Sequence, residues 1–569
     1  MGFSLNGPQT TGRDYRNLSE AQYASRRDLN VSVPMRDGIS LLADVHRPDA
    51  PGRFPALIAA SPYPRQIQDL GAPAGFIEAG VTAFWVAHGY VHVIANVRGT
   101  CGSGGEFGFF DAQERRDMHD LVEWAAAQPW CDGNVGMIGI SYFAMTQLEA
   151  AVERPPHLKA IFPVAVTADL YEGGMHHGLM NASFITPFLS MMGLTSERGD
   201  RFWRGPFVRL ARRVLNAQRL HRKFATMNGE SAVTMMRQLL KLPHDPHPWD
   251  ELWLDVAVRH PLRDEWWDER NLVPLLSEIE VPVYLGCDWE NVPLHLPSTF
   301  IAWDALRDNP FVRMGMLGRF GLTWPWESLH TEALAWFDHW LKGRDTGILD
   351  GPPIRYLLPG ADEWHTAEAW PPMSGHREFA LRADGLLADD EGSPGQPEFM
   401  VLGAGLNRVK GSSIDPPSVL TWTSAPLYQP LDIVGDIELR LVASATAIDT
   451  AWIVTLSDVA PDGSATPVTA GWLRASLRDV DEAASRPGAP VLPCRNAVAV
   501  PIGEDVEYRI PLVPNARRFV VGHRIRITLT SDDQDPSTPA IMNFRHASVG
   551  TSSLNTVRSS SRLLLPVLP

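Results

Sequence analysis

The chain has 569 residues, of which 44% are hydrophobic and 20% are charged, a balance typical of globular domains. Its formal net charge of −16 at pH 7 argues against nucleic acid or an anionic membrane as a partner. Four widely spaced cysteines without a Cys-x-x-Cys pair argue against a disulfide scaffold and a zinc ribbon. A chain of this length is expected to form about two to four domains. Because the sequence contains no apolar run of signal-peptide or membrane-span length, we expect a cytoplasmic protein.

The first third of the chain predicts alternating strands and helices. Residues 29–48 alternate apolar and polar side chains around an Asp-Gly turn, which predicts an antiparallel hairpin. Continuous apolar runs at 54–61, 91–97 and 135–140 predict strands that are buried on both faces. Residues 111–128 carry apolar side chains at helical spacing. This order of elements predicts a doubly wound α/β sheet.

In the middle of the chain the alternation of predicted strands and helices stops. Residues 171–275 contain helical segments rich in Met, Leu and Arg, with no strand pattern. Buried strands are predicted again at 281–289 and 311–318, followed by an amphipathic helix at 332–347. The simplest interpretation is a helical insertion between the two halves of one α/β domain.

Beyond Pro352 the pattern changes to short alternating stretches that are separated by turn residues. Such a pattern predicts an all-β domain of jelly-roll type. The predicted division of the chain is an α/β core at 1–170 and 276–350, a helical cap at 171–275, and a C-terminal β-sandwich at 351–569.

One predicted strand ends abruptly on a serine, in Gly139-Ile140-Ser141-Tyr142, where a helix is expected to begin. A strand, Gly-x-Ser and a helix in this order are typical of the nucleophile elbow of α/β-hydrolases. Small neighbours let the strand and the helix approach closely, and the serine hydroxyl stands above the sheet. The next backbone N–H can then face a developing oxyanion. The pattern favours Ser141 as a nucleophile.

The segment WCDGNVGMIGISYFAMTQ around this serine carries a family resemblance. It resembles, nearly residue for residue, the nucleophile segment of the α/β-hydrolase family of cocaine esterase and X-prolyl dipeptidyl aminopeptidases. That family also includes α-amino-acid ester hydrolases and glutaryl acylases. Its form is Gly-x-Ser-Tyr-x-Gly, and this chain departs from it only at Ala144. Further family-like segments lie at 95–107, 260–271, 336–343 and 457–476.

The resemblance covers almost the whole chain, and it implies an α/β-hydrolase core, an inserted helical cap and a C-terminal jelly roll. It also implies a serine hydrolase that works with side chains alone, without a cofactor or a metal. The second oxyanion donor of the family is a tyrosine hydroxyl within a Pro-Tyr sequence after an early strand. Here SPYPRQ at 61–66 provides Tyr63. The implied oxyanion hole is the Tyr63 hydroxyl with the Tyr142 backbone N–H.

The triad acid is less clearly placed. Relatives carry it in Gly-Trp-x-Asp after a strand that begins with Val-Pro, and this chain has VPVYLGCDWENVPLHLPSTF at 281–300. Counting back from the downstream helix places the acid at Glu290, whereas counting forward from Val-Pro gives Asn291. Asp288 also lies within reach of the strand end. We predict Glu290 as the acid, with Asp288 as the alternative.

The general base departs furthest from the family pattern. Relatives carry Pro-Trp-x-His directly after the last core strand, but here the first histidine after that strand is His330. We predict that His330 is the base and that the loop from Gly318 to Leu329 brings it to the serine. His295 follows the acid loop closely, and His339 has the sequence context of a structural residue.

Two functional hypotheses follow. The first is a serine hydrolase that cleaves small ester or amide substrates through an acyl-enzyme intermediate. The second is a binding protein that kept the fold and lost the base. The adjacent His176 and His177 lack metalloprotease spacing. Arginines at 198–223 indicate a solvated cap helix, and a role in packing a second subunit of a homo-oligomer stays open.

Overall fold

The structure is a computed structural model, which describes residues 9–70, 77–195, 206–215, 217, 247–318, 329–372, 375–390, 392, 398–405, 417–534 and 538–568. The strands are β1 Ser25–Pro34, β2 Ser40–Pro48, β3 Phe54–Ser61, β4 Val91–Asn96, β5 Cys131–Ile140, β6 Leu158–Val164, β7 Val283–Asp288, β8 Val312–Leu317, β9 Ile354–Leu358, β10 Glu363–Ala367, β11 Gly375–Leu381, β12 Leu386–Ala388, β13 Phe399–Ala404, β14 Val419–Ser424, β15 Leu431–Ala445, β16 Ala451–Val459, β17 Ala465–Arg474, β18 Val506–Phe519, β19 Arg524–Thr530, β20 Ser553–Arg558 and β21 Arg562–Val567.

The helices are α1 Arg65–Gln68, α2 Thr82–Ala87, α3 Ala112–Ala126, α4 Tyr142–Val152, α5 Leu170–Met175, α6 Ala182–Thr195, α7 Pro206–Leu215, α8 Trp249–Leu254, α9 Glu265–Glu269, α10 Val273–Leu276, α11 Leu296–Leu306 and α12 His330–Lys342. No helix among the described residues combines the length and the apolar character that crossing a bilayer requires.

The first sheet has 10 strands in the order β1-β2-β4-β3-β5-β6-β7-β8-β9-β10. Its strands from β4 to β9 are parallel, and the edge strands β1, β2 and β10 pair antiparallel. The central strands β4 and β7 are buried along their whole length, because helices cover a parallel sheet on both faces. The predicted hairpin and the predicted alternation of buried strands and helices are confirmed.

The first sheet extends further along the chain than predicted. Strand β9 pairs in parallel with β8, with Met314 opposite Ile354, and β10 pairs with β9. The sheet therefore continues to Ala367, past the predicted domain boundary at residue 350. The short alternating pattern of β9 resembles that of the later strands, so the sequence pattern alone assigned it to the C-terminal domain.

The C-terminal strands form a second sheet of 11 strands in the order β13-β20-β15-β18-β17-β16-β19-β14-β12-β11-β21. An additional pairing between β15 and β21 closes this sheet on itself. The strand-rich C-terminal domain is therefore a closed barrel, and β13 joins it through β20, which pairs with β15.

The segment between β6 and β7 is helical where the structure describes it, from α5 to α10. Residues 196–205, 216 and 218–246 lie outside the described residues, and so does most of the arginine-rich prediction. A 3₁₀ turn at His176–Gly178 follows α5 and packs on the barrel. There His177 Nδ1 lies 3.1 Å from the carbonyl oxygen of Trp472.

Candidate active site

Four side chains meet at the carboxyl edge of the first sheet. Tyr63 follows β3, Ser141 follows β5, Thr167 follows β6 and His295 follows β7. These strands are consecutive neighbours and run parallel, so their carboxyl ends lie at the same edge. Ligand sites of α/β sheets form at this edge. The arrangement makes it the candidate active site.

The turn that carries Ser141 has the strained geometry of an elbow. Ser141 has φ 59° and ψ −119°, a backbone conformation that L-residues rarely adopt. Gly139, two residues earlier, has φ 130°, and a Cβ there would collide with the Cβ of Phe143. A glycine is thus required at position 139, because the strand and helix α4 approach too closely there for a side chain.

His295 is the imidazole that reaches this serine. Its Nε2 lies 3.1 Å from Ser141 Oγ, and its Nδ1 lies 2.7 Å from Thr167 Oγ1. The Asn291 side-chain oxygen accepts from the His295 backbone N–H at 3.0 Å, which fixes the residue at the start of α11. Burial lowers the pKa of His295 to about 3, so the ring is neutral near pH 7. The neutral ring has a free lone pair with which to accept the serine proton, and a pKa closer to the operating pH would make it a stronger base.

Tyr63 lies against the same serine. The phenol is buried, and burial together with the negative charge of Glu78 raises its pKa well above the usual value, while its hydrogen bond with Ser141 opposes that rise. Its ring contacts Tyr142 edge-on, with the ring centroids 6.1 Å apart. The hydroxyl therefore keeps its proton at neutral pH and can donate to an oxyanion.

The two carboxylates predicted as the triad acid lie at the end of β7. Asp288 is buried, and its Oδ1 accepts from the Glu290 backbone N–H at 2.8 Å. Burial, and then the charge of Glu290, raise the pKa of Asp288 well above its usual value. The prediction places one of these carboxylates against the second ring nitrogen of His330, whereas at His295 the group against Nδ1 is the Thr167 hydroxyl.

His330 lies in a different environment from the predicted one. Its Nε2 accepts from the Val81 backbone N–H at 3.0 Å, and its ring stacks on Trp85 with the centroids 5.7 Å apart. The prediction that this imidazole bonds Ser141 is wrong, because His330 opens α12 and the first turn of that helix packs against residues 80–85. The loop at 319–328, which the prediction also used, lies outside the described residues.

Ser141 lines an apolar pocket. Besides the polar residues already described, its lining consists mainly of aromatic and aliphatic side chains, among them Phe109, Phe110, Met145, Phe184, Ile185 and Phe188. No carboxylate and no Lys or Arg lies among the lining residues that the structure describes. Such a pocket favours a neutral, apolar group of a substrate.

Sequence reasoning missed the contacts of His295 and Thr167 at the serine. A signal for His295 was present, since it follows a predicted buried strand of the same parallel sheet as the serine. The family pattern drew the prediction to the histidine after β8 instead. Thr167 gave no signal, because nothing in the sequence distinguishes it from other loop threonines.

Comparisons with known proteins extend over both sheets. A family model described as X-Pro dipeptidyl-peptidase (S15 family) matches residues 37–322. A second model, described as the X-Pro dipeptidyl-peptidase C-terminal non-catalytic domain, matches residues 346–542. Cocaine esterase of Rhodococcus sp. (strain MB1 Bresler) is 28% identical, in an alignment that covers 95% of this chain and 98% of the relative.

Solved structures share the fold over the same extent. A CocE/NonD family hydrolase from Staphylococcus aureus matches with a TM-score of 0.73 and 22% identity, over 95% of this chain and 93% of that chain. An α-amino acid ester hydrolase matches with a TM-score of 0.70 and 19% identity, over 98% of this chain and 99% of that chain. The whole described architecture, barrel included, is therefore that of these hydrolases.

Proposed function

This chain belongs to the X-Pro dipeptidyl-peptidase (S15) family and is a serine-type hydrolase, and we propose that it cleaves esters of small apolar acids through an acyl-enzyme intermediate. The observation that carries the proposal is the 3.1 Å contact between Ser141 Oγ and His295 Nε2. A nucleophile within hydrogen-bond reach of a base is the arrangement that nucleophilic catalysis requires. The contact also weighs against the alternative of a binding protein without a base.

In the proposed mechanism Ser141 Oγ attacks the ester carbonyl carbon while His295 Nε2 takes the hydroxyl proton. The oxyanion that forms accepts hydrogen bonds from the Tyr63 hydroxyl and the Tyr142 backbone N–H. The imidazolium returns the proton to the departing alkoxide, which leaves as an alcohol. Water, deprotonated by the same imidazole, then releases the acid and restores the serine.

The apolar pocket supports esters over peptides. An X-Pro dipeptide or an α-amino-acid ester carries a free ammonium group within its acyl unit, and burying that charge needs an anionic partner. The described lining offers aromatic rings such as Phe109 and Phe188 rather than a carboxylate. A neutral ester needs no such partner, and its alkoxide departs without the prior protonation that an amide nitrogen needs in order to leave.

We propose the same domain plan as that of the hydrolase relatives, with one changed boundary. The α/β-hydrolase core comprises residues 1–170 and the chain from residue 276 to the end of β10. The cap occupies 171–275, and the barrel is of jelly-roll type. The parallel order around β3, β5, β6 and β7 and the closed C-terminal sheet support this plan.

The test is a substrate panel with purified protein. We expect hydrolysis of p-nitrophenyl acetate, butyrate and benzoate, slower or no cleavage of Ala-Pro-p-nitroanilide, and slower hydrolysis of phenylglycine methyl ester. Ser141→Ala should remove the activity, and a fluorophosphonate probe should label the wild-type enzyme at Ser141. Faster cleavage of the X-Pro anilide than of every ester would reverse the assignment. Labelling that persists in Ser141→Ala would exclude this nucleophile.

A further inference from the structure

The second nitrogen of the His295 ring meets a hydroxyl where serine hydrolases ordinarily place a carboxylate. Thr167 Oγ1 lies 2.7 Å from His295 Nδ1. We propose that Thr167 is the positioning residue of the catalytic imidazole, so that the relay Ser141–His295–Thr167 works with an uncharged third member. The inference rests on the proposed function, since it assigns a role within that site.

Packing fixes the Thr167 side chain in the orientation that this role needs. The residue is buried, in the loop after β6. Its methyl group lies against Gly173 of α5, where an added Cβ would be 2.9 Å from Thr167 Cγ2. The methyl group therefore occupies the side facing α5, and the hydroxyl points to the imidazole. A buried β-branched side chain has little freedom to turn away.

The direction of proton transfer decides what the hydroxyl must do. To accept the proton of Ser141, His295 Nε2 must carry a free lone pair, and Nδ1 must then carry the ring hydrogen. Thr167 Oγ1 accepts a hydrogen bond from that Nδ1–H. A hydroxyl can select this tautomer as a carboxylate does, but it adds no negative charge to stabilise the imidazolium.

The two phenols of the pocket that His295 lines add no charge near neutral pH. Tyr63 and Tyr142 line the same pocket, and burial raises the pKa of both well above the usual value. Both phenols therefore keep their protons while the imidazole works, and neither can replace a carboxylate.

The neighbouring elements carry further ionisable groups. In the loop that carries His295, burial raises the pKa of Asp288 well above its usual value, and Glu290 follows it in the chain. On the 3₁₀ turn after α5, burial lowers the pKa of His176, whose Nε2 lies 2.9 Å from the Pro293 carbonyl oxygen. At Nδ1 itself the ring contacts the neutral Thr167 hydroxyl, 2.7 Å away.

The first test compares three variants by steady-state ester hydrolysis. Thr167→Val keeps the shape and removes the acceptor, so we expect kcat to fall about 10-fold or more with little change in KM. Thr167→Ser keeps the hydroxyl and should retain most of the activity. Thr346→Val is the matched control: Thr346 is a buried threonine whose Oγ1 donates to the Ala335 carbonyl in another part of the fold. This control should keep the wild-type kcat.

The second test uses Thr167→Asp and the pH profile of kcat/KM, which reports the ionisation of the free enzyme. Because burial holds the pKa of His295 at about 3, the wild-type profile should show no acid limb between about pH 5 and 8. A carboxylate beside Nδ1 stabilises the imidazolium and raises that pKa. An acid limb should therefore enter the range in Thr167→Asp, which would show that the side chain at position 167 controls the ionisation of the imidazole.

A third readout does not require turnover. Nitrogen-15 NMR of labelled wild-type enzyme should show the His295 hydrogen on Nδ1, and Thr167→Val should shift the population towards the other tautomer. If the wild type shows this tautomer but hydrolyses no ester, the proposed function fails and with it the positioning role, and only the hydrogen bond between Nδ1 and Thr167 stands. If esters are hydrolysed while Thr167→Val and Thr167→Asp keep the wild-type kcat and pH profile, the positioning role is wrong. Should either variant fail to fold, Thr167→Ser and the wild-type tautomer carry the test.

Discussion

Two chains of buried hydrogen bonds converge on the segment between β7 and α11. One runs from Ser141 through His295 to Thr167. The other runs from Asp533 of the barrel through His546 and His176 to the carbonyl oxygen of Pro293, with steps of 2.8, 2.7 and 2.9 Å. The second chain contains the carboxylate–histidine pair that a triad would ordinarily use, yet it lies at the contact between the barrel and the cap.

The difference shows that position, rather than the pairing of residue types, marks the candidate active site. His295 follows a parallel strand and faces a serine in a strained turn, which gives its neutral ring a proton to accept. His546 faces a second imidazole, which offers no nucleophile. The hydrogen bonds of His546 connect the barrel to the segment that carries His295. We therefore interpret these hydrogen bonds as structural support for the His295 imidazole.

The largest expected effect comes from removing one histidine from each of the two series of hydrogen bonds. His295→Asn should lower kcat for p-nitrophenyl esters by about 10²–10⁴-fold, the usual contribution of a general base. His546→Asn should change kcat by much less, because that ring touches no reacting atom. Steady-state kinetics with circular dichroism as a folding control measures both. Equal losses in the two folded variants would contradict the assignment of the base.

The next effect concerns the oxyanion donor. Tyr63→Phe should lower kcat by about 10²–10³-fold, as loss of one such donor does, with a smaller change in KM. Tyr90→Phe is the matched control, since Tyr90 is a buried phenol that donates to Asp338 at 2.7 Å. The control should lose stability and keep its kcat. An unchanged kcat in Tyr63→Phe would exclude the hydroxyl from the oxyanion hole.

A smaller effect on rate should come from the carboxylate of the second chain. Asp533→Asn weakens its hydrogen bonds with the backbone and ring of His546. The free energy of unfolding should fall by about 1.5–3 kcal/mol, the range for hydrogen bonds to charged groups, and kcat by less than about 10-fold. Urea denaturation and ester kinetics measure the two changes. A large loss of kcat without loss of stability would show that the hydrogen bonds of Asp533 and His546 take part in catalysis, which would contradict the difference between the two series.

The smallest effect on rate is expected at His330. His330→Ala removes the acceptor of the Val81 N–H and the stacking partner of Trp85. The free energy of unfolding should fall by about 1–3 kcal/mol, because a buried donor loses its partner. In contrast, kcat should stay within a few-fold of the wild type. A drop in kcat as large as that of His295→Asn would restore His330 as the base.

The elbow was predictable from the sequence because its signal is local. A buried strand, a glycine, a serine and a helix lie within one continuous stretch, and steric demands at Gly139 tie residue type to backbone shape. Tyr63 carried a similar local signal, a Pro-Tyr pair directly after a strand. Most strands and helices of the core followed from hydrophobic periodicity in the same way.

The partners of the serine were not predictable, since they depend on how separate strands are ordered in space. Thr167 and His295 belong to loops that are far apart in sequence, and only the adjacency of β6 and β7 joins them. The wrong choice of His330 arose because a family spacing was applied where this chain lacks the family motif. Likewise, β9 joined the first sheet because of pairing with β8, which its own pattern does not specify.

The most direct test of the central claim, that His295 activates Ser141, is the acylation step by itself. Rapid mixing of excess enzyme with p-nitrophenyl butyrate measures the release of p-nitrophenol in a single turnover, and mass spectrometry locates the butyryl group. The account predicts fast butyrylation of Ser141 in the wild type and in His330→Ala, and slowing by about 10²-fold or more in His295→Asn. Acylation that stays fast in His295→Asn and becomes slow in His330→Ala would contradict it.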